Sequence, residues 1–400
     1  MIKDMKDLSD KKLKRELSPR KMFDLLFGIS LLIFAVHFLL EPSGLQRDVF
    51  FAQGYDLLAD FLNTVRHITG GQPYADGHIQ PPLGFLLLHP FKYFADFNNK
   101  LEVLHSMPGA MFAAIFFMVL SEAFLFFMLK KFLKNGRCIP VLLYFLFSSI
   151  NLYAVERGTV VIFSAACIAG FLAYYDSEVK RERIFGCFLL AAAAALKVYP
   201  ALFGVLLLKR KDWQGILWTA AFGLLLTFPL FLFFDGAFDN IPLLLKNLGQ
   251  YREDYLVTSW DKRVIRIFIS GNVTPATHVI FSAFRQTVDF AVILCFVAAF
   301  FSRKDELLIF TTACIIIMCP VGAGFYTLMY LAVPFVSAYR NEKSSNFILL
   351  SYAFLLTPLR FPLEVNDLIC QILLSALPLY GLFHQIKQRD FFFLSVPAKD

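Results

Sequence analysis

The residue pair Glu156–Arg157 is the clearest candidate for chemistry in this sequence of 400 residues. It lies in the segment 151–158, between the apolar runs 139–153 and 159–174. Charged side chains at the edge of a membrane span are costly unless they are paired, hydrated or used, so they indicate a functional site. The alternative is a hydrated loop between two spans, and this pair alone does not separate the two interpretations.

The elements that position this pair are predicted to be membrane-spanning helices. Of the residues, 58% are hydrophobic and only 17% are charged, against roughly 25% charged in soluble domains. Apolar runs of about 15 to 23 residues recur along the chain, which is the length needed to cross a bilayer. The seven cysteines lie singly and match no zinc or redox motif. The composition predicts an all-α polytopic membrane protein, and we assign no metal, no cofactor and no nucleic-acid partner.

The distribution of Lys and Arg predicts the topology. Residues 1–21 form a basic tail, and the positive-inside rule places it in the cytoplasm. We expect one integral membrane domain over residues 1–400, with about twelve spans in a range of about ten to thirteen, in the cell (inner) membrane. Two long segments then fall outside, 41–106 and 235–285. The segments predicted to lie inside are 130–137, 180–183, 209–211, 302–306 and 340–343.

The segment 184–208 has basic flanks at both ends. A single crossing would invert every later loop, so we predict a tight hairpin that turns at 197–200. The alanine run 191–195 would allow close helix approach, and Pro200 suits the start of a new helix. This interpretation places Lys197 at the outer end of the hairpin.

Two acids in the first outer segment share one predicted helix face. Asp56 and Asp60 have the spacing i, i+4, and several apolar residues form the opposite face. This pattern is typical of a helix that lies in the membrane interface. The alternative is a solvated helix face without a chemical role.

Together these groups are what a lipid-phosphate-dependent transferase would need. A carboxylate can deprotonate an acceptor hydroxyl as a general base, and cations can hold a phosphate and stabilise its charge as it leaves. Arg157 and Lys197 are the candidate cations. For Lys197 the alternative is a side chain that snorkels to the interface at the end of a span.

Five short motifs in order resemble glycosyltransferase family 87 of the GT-C superfamily. They comprise Asp56 with its spacing to Gly70, Pro73 and Tyr74, followed by Pro-Pro-Leu at 81–83, Glu-Arg-Gly at 156–158, Lys-x-Tyr-Pro at 197–200, and Pro320, Tyr326 and Pro334. The resemblance implies a GT-C-like bundle with interfacial helices in the first outer loop. It also implies a polyprenyl-phosphate-linked sugar such as mannose as donor, a lipid-linked or glycan acceptor, and contact with membrane lipids.

On this resemblance the first outer loop carries the catalytic carboxylate. Asp56 matches best by spacing, and Asp60 is a close rival. The donor and its phosphate are assigned to Lys197, Arg157, Glu156, Tyr199 and Tyr326, and the acceptor or sugar to Tyr74, Asn151 and Thr159. The chain departs from the family at Thr159, where Asn or Gln usually follows Glu-Arg-Gly.

Two other functions use the same residues. A transporter or flippase of lipid-linked saccharide would line its path with these acids and bases, although the sequence has no evident internal repeat of the kind common in transporters. A polysaccharide polymerase would differ only in its acceptor. The sequence favours an inverting glycosyltransferase that acts at the outer face.

Overall fold

The computed structural model describes residues 18–40, 57–133, 139–254, 275–318, 325–341, 345–359 and 363–388, and within these ranges it is helical without a β-strand. The α-helices, numbered in chain order, are α1 (Pro19–Leu40), α2 (Ala59–Thr69), α3 (Pro82–Leu88), α4 (Leu101–Ser106), α5 (Pro108–Leu133), α6 (Ile139–Leu146), α7 (Ser149–Arg157), α8 (Val161–Tyr174), α9 (Lys180–Leu196), α10 (Val205–Lys209), α11 (Trp213–Leu225), α12 (Asn240–Asp254), α13 (Pro275–Phe300), α14 (Glu306–Met318), α15 (Ala332–Arg340), α16 (Asn346–Leu356) and α17 (Leu363–Lys387). Short 3₁₀ helices at His89–Tyr93, Tyr199–Gly204, Pro229–Phe233, Ala237–Asp239 and Phe325–Leu331 connect several of them.

Four helical segments of the described ranges are long and apolar enough to cross a membrane: Pro19–Leu40, Pro108–Leu133, Trp213–Phe233 and Ile369–Lys387. A fifth is obtained if α6 and α7, which meet at a bend of 53°, count as one span. The all-helical membrane fold is therefore confirmed. The predicted count of about twelve spans is not confirmed, because only these four or five segments of the described ranges are long and apolar enough.

Helix α8 forms the centre of the bundle. Twelve of its 14 residues are buried, from Val161 to Ala173, and it packs between α5 and α9. Small side chains allow the close approach, and the Ser164 hydroxyl lies 3.3 Å from the Ala193 carbonyl oxygen across the α8–α9 contact. The alanine run that suggested close packing lies at this interface.

The segment 184–208 turns back on itself, as predicted. Helix α9 ends at Leu196, and the 3₁₀ helix Tyr199–Gly204 leads into α10. Arg183 at the start of this segment lies 3.6 Å from Asp212 beyond its end. Since this salt bridge joins the two flanks, both lie at one end of the bundle and Lys197 lies at the turn.

Several basic segments that were predicted to share a side do meet. Lys209 and Arg210 contact Asp305, each at 2.9 Å, and Arg20 donates to the carbonyl oxygen of Arg340. The Tyr339 hydroxyl also donates to Asp24 at 2.7 Å. These contacts bring together loops that are far apart in sequence.

Candidate active site

The Glu-Arg-Gly segment packs against the start of α2. Ser148 caps the first turn of α7, and Gly158 ends the helix in the left-handed conformation with φ 69°. A Cβ atom on Gly158 would lie 3.0 Å from Phe61 Cβ and 3.2 Å from Leu58 Cα. Because both the positive φ and this close approach exclude a side chain, the glycine allows α2 and α7 to meet.

The backbone adds a direct link between these two elements. The Leu58 N–H donates to the Glu156 carbonyl oxygen at 2.6 Å, and His105 contacts the Leu57 carbonyl oxygen, also at 2.6 Å. The chain that enters α2 is thus fixed from two sides. The side chain of Glu156 itself is buried, with 8% exposure.

An ion pair between Asp60 and Arg157 forms the centre of the site. Arg157 Nη2 lies 2.6 Å from Asp60 Oδ1, and the two side chains are 29% (Asp60) and 21% (Arg157) exposed. The pair joins residues 97 positions apart. An ion pair that is partly removed from water is screened less than a surface pair, so it couples the first turn of α2 to the last turn of α7.

Lys197 supplies a second positive charge near Asp60. It follows the end of α9 in an extended conformation and is half-buried. Desolvation lowers the pKa of Lys197, and the charge of Asp60 opposes that shift. The structure therefore brings together Asp60, Arg157 and Lys197, three of the residues that the sequence singled out.

Four tyrosines lie close to this hairpin. Tyr199 packs edge-on against Tyr330 with ring centroids 5.7 Å apart, and the Tyr330 hydroxyl donates to Ser164 Oγ at 2.9 Å. Tyr326 stacks with Tyr153 at 6.5 Å. The sequence pointed to Tyr199 and Tyr326 and missed Tyr153 and Tyr330, which stand in apolar runs where a tyrosine is indistinguishable from a core aromatic.

The three residues assigned to the acceptor or sugar have contacts within the protein. Tyr74 is 1% exposed, packs among phenylalanines such as Phe85, and its hydroxyl donates to the Gln80 carbonyl oxygen at 3.2 Å. Thr159, 2% exposed, accepts from the Val161 N–H at 3.4 Å. Asn151, also 2% exposed, donates to the Leu146 carbonyl oxygen at 3.1 Å. None of these contacts involves Asp60, Arg157 or Lys197.

Glu122 is an acid that the sequence interpretation missed. It lies within the span α5, and both of its carboxylate oxygens are buried. The side chain lies next to Asn151, which precedes Arg157 by six residues, or about 9 Å along α7. The signal was present, because an ionisable residue inside an apolar run indicates a functional site by default.

Asp56, the preferred candidate for the catalytic base, lies outside the described residues. Among the residues that are described, no group of three or more His, Cys, Asp or Glu side chains is arranged to hold a metal ion.

A comparison with protein families identifies the class to which this site belongs. The model of glycosyltransferase family 87 matches residues 79–334, which is more than half of the chain. The protein is a membrane glycosyltransferase, and the chain belongs to glycosyltransferase family 87. No curated protein and no solved structure matches it. The matched region includes Arg157 and Lys197 but begins after Asp56 and Asp60.

Proposed function

We propose that the protein transfers one sugar, a mannose-like hexose or a pentose, from a polyprenyl phosphate to a lipid-linked or polysaccharide acceptor at the outer face of the cell membrane. The cluster of Asp60, Arg157 and Lys197 is the observation that supports this proposal most. Among the described residues it places Arg157 and Lys197 near Asp60, and two cations in one place favour the binding of an anion. The phosphate of a polyprenyl-phosphate donor is such an anion.

The proposed reaction is a single displacement. The acceptor hydroxyl gives its proton to a carboxylate, and its oxygen attacks the anomeric carbon of the sugar. The bond from that carbon to the phosphate oxygen breaks, and the electron pair stays on the polyprenyl phosphate. Arg157 can hold the leaving phosphate through two N–H groups, and Lys197 acts as a point charge. One inversion at the anomeric carbon follows from one displacement.

Asp56 is the base in this proposal, and Asp60 positions Arg157. Asp60 already accepts a hydrogen bond from the Arg157 guanidinium, so this carboxylate is engaged in orienting Arg157. Asp56 precedes Leu58 by two residues, and Leu58 is bonded to Glu156.

The other assigned residues have supporting roles in the proposal. Tyr199 and Tyr326 stand beside the hairpin that carries Lys197 and would contact the donor. Asn151 and Thr159 would act on the sugar or acceptor through the position of α7. Tyr74 is buried among aromatic residues, so we propose that it shapes the outer loop without touching the acceptor. We also propose the GT-C-like arrangement of about twelve spans.

The decisive experiment compares Asp56→Asn with Asp60→Asn in purified protein that is supplied with a labelled polyprenyl-phosphate sugar. For Asp56→Asn we expect turnover to fall roughly 10²–10⁴-fold, the usual contribution of a positioned acid–base group, with little change in donor affinity. For Asp60→Asn we expect mainly weaker donor binding, because Arg157 loses the partner that orients it.

The two variants also separate the competing assignments. Complete loss of transfer in Asp60→Asn with normal turnover in Asp56→Asn would make Asp60 the base. Normal transfer in both variants, combined with failed saccharide export in cells, would favour the transporter interpretation.

The outer location of the site has its own test. Cysteines introduced at Asp76 and Thr258 should react with a membrane-impermeant thiol reagent in intact cells, and a cysteine at Asn135 should not. Both outer positions belong to segments that the Lys and Arg distribution places outside. Labelling at Asn135 would overturn this orientation.

A further inference from the structure

A cavity lies at the far end of the bundle from Asp60. Helix α5 begins beside the α2 region and spans 26 residues, about 39 Å, and Phe132 near its other end lines a cavity of about 210 Å³. The ends of α15 and α17 and the starts of α14 and α16 form its walls. This distance separates the cavity from the proposed active site.

The cavity has an apolar interior and a charged rim. Leu307, Phe310 and Ile348 are among its apolar lining residues, and the exposed side chains of Lys304 and Glu306 stand at its edge. The rim therefore carries one cation and one anion, two positions apart in the chain. A ligand with one negative and one positive group would match both.

Gln385 supplies a third, independent feature. It lines the cavity, is only 9% exposed, and its Oε1 atom is buried without a hydrogen-bond partner among the described residues. An unsatisfied buried acceptor costs free energy, and each such atom in a native structure calls for an explanation. A donor group on a bound ligand would provide one.

The surroundings of the cavity indicate an amphipathic ligand. On the same helix as Gln385, Leu379 and Phe383 are exposed apolar residues, 49% and 67% respectively, of the kind that faces lipid in a membrane protein. The volume is below the roughly 300–1,000 Å³ of pockets that enclose a whole drug-sized ligand. It suits a headgroup whose chains remain outside, along the helix surface.

We propose that this cavity binds the headgroup of a zwitterionic phospholipid with a primary ammonium group. The ammonium N–H groups donate to Gln385 Oε1 and to the Glu306 carboxylate, and the phosphate lies near Lys304. A headgroup with a quaternary ammonium has no N–H donor and leaves Gln385 unsatisfied. The site is thereby selective among lipids of equal net charge.

The test measures the thermal unfolding temperature of the delipidated full-length protein in detergent. Dioleoyl phosphatidylethanolamine, phosphatidylcholine and phosphatidylglycerol are added separately, and binding is measured by titration. We expect the ethanolamine lipid to raise the Tm and the choline lipid, with the same chains, to leave it near the lipid-free value.

The variant Gln385→Leu should produce two opposite changes. The lipid-free Tm should rise, because a buried acceptor without a partner is removed. Affinity for the ethanolamine lipid should fall at least about tenfold, because one hydrogen bond to a charged group is lost. Gln371→Leu is the matched control, since Gln371 lies on the same helix outside the cavity lining, and it should preserve the lipid preference.

Several results would overturn the proposal. The first is equal stabilisation by the ethanolamine and choline lipids, and the second is stronger stabilisation by the glycerol lipid. The third is that no lipid changes the Tm, which would mean that water or the chain itself fills the cavity. Unchanged ethanolamine preference in Gln385→Leu would also count against it. If that variant does not fold, Glu306→Gln replaces it, because this exposed position should lose the preference without loss of structure.

Discussion

Two ion clusters at opposite ends of the molecule each place an acid near two cations, but in only one of them do both cations contact the acid. At Asp305, Lys209 contacts Oδ1 and Arg210 contacts Oδ2, both at 2.9 Å, and the Tyr175 hydroxyl donates to Oδ2 at 2.8 Å. At the Asp60 carboxylate, Arg157 is the one cation in direct contact among the residues that the structure describes.

The remaining cation near Asp60 differs from those at Asp305. Among the described residues, the Lys197 ammonium forms no salt bridge, and it acts on Asp60 only through space. Near Asp305 both cations are bonded, and although burial acts to raise the pKa of Asp305, hydrogen bonds from Lys209 and Arg210 hold it below its ordinary value. The comparison indicates that the Asp305 cluster is a structural salt-bridge network and that the Asp60 cluster can accept an anion.

The largest effect should come from removing the cation that is not bonded. We expect Lys197→Ala to weaken donor binding by about 2–5 kcal/mol, the cost of leaving a charged contact without its partner. This is roughly 30- to 5,000-fold in Kd. Lys197→Arg should be milder, since charge matters more here than fork geometry. Equilibrium binding of the labelled donor to the purified protein measures both.

Lys209→Ala is the matched control for that experiment. It removes a lysine from the Asp305 cluster, so donor binding should persist while the Tm falls. If Lys197→Ala binds the donor normally in a folded protein, Lys197 is a snorkelling residue and the contrast between the clusters fails.

The next largest effect concerns the contribution of the Asp305 cluster to the stability of the protein. Asp305→Asn removes the negative charge between two bonded cations, and we expect it to lower the free energy of unfolding by about 1.5–3 kcal/mol, the scale of a hydrogen bond to a charged group. Specific transfer activity of the folded fraction should not change. Denaturant unfolding measures the effect on stability, and activity per folded molecule measures the effect on transfer. A variant with wild-type stability but lost transfer would place Asp305 in the reaction.

The contrast between these clusters also explains how much the sequence could predict. Basic flanks around 184–208 sufficed to predict a hairpin with Lys197 at its turn, because charge placement follows membrane orientation. The Asp60–Arg157 contact spans 97 positions, and no local pattern encodes such a pairing. Spacing to Gly70 and Tyr74 ranked Asp56 above Asp60 without reference to Arg157.

Other elements escaped prediction for different reasons. Tyr74 was assigned to ligand binding by its motif, and only packing reveals an aromatic environment around it. The apolar run 139–153 predicts one span, whereas the structure divides residues 139–157 into two helices that meet at a bend of 53°. There is no proline at the joint; Ser148 caps the start of α7 there, and the close approach of Gly158 to Phe61 and Leu58 fixes the other end of this helix.

A third prediction uses pH to sharpen the role of Lys197. Desolvation lowers its pKa below the ordinary value of about 10.4, and only the protonated form attracts phosphate. Donor affinity should therefore fall as pH rises through the lowered pKa, by up to about tenfold per pH unit. The donor affinity of Lys197→Arg should stay constant to higher pH, because arginine keeps its charge. Equal profiles for the wild type and this variant would assign the pH dependence to another group.

The smallest effect tests the histidine pair His67 and His78, of which His67 lies in α2. Burial, with a smaller contribution from the neighbouring His67, whose ring centroid lies 3.7 Å from that of His78, lowers the pKa of His78 to about 4. The folded state thus favours neutral His78, whereas the unfolded chain titrates near 6.5. Stability present above pH 6.5 should be lost as pH falls toward 4, by at most about 1 kcal/mol at pH 5.5.

The variant His78→Gln should flatten the decline of Tm between pH 6.5 and 4 and leave the Tm at pH 7 nearly unchanged. Because acidification can only increase the protonated fraction of Lys197, the same variant should bind the donor normally and keep the alkaline loss of affinity. Acidic loss of stability would then belong to the His67–His78 contact and alkaline loss of binding to Lys197. If His78→Gln instead removed the loss of donor affinity at alkaline pH, the group that governs donor binding would lie in the outer loop. The Asp60 cluster would then be a second structural salt-bridge network.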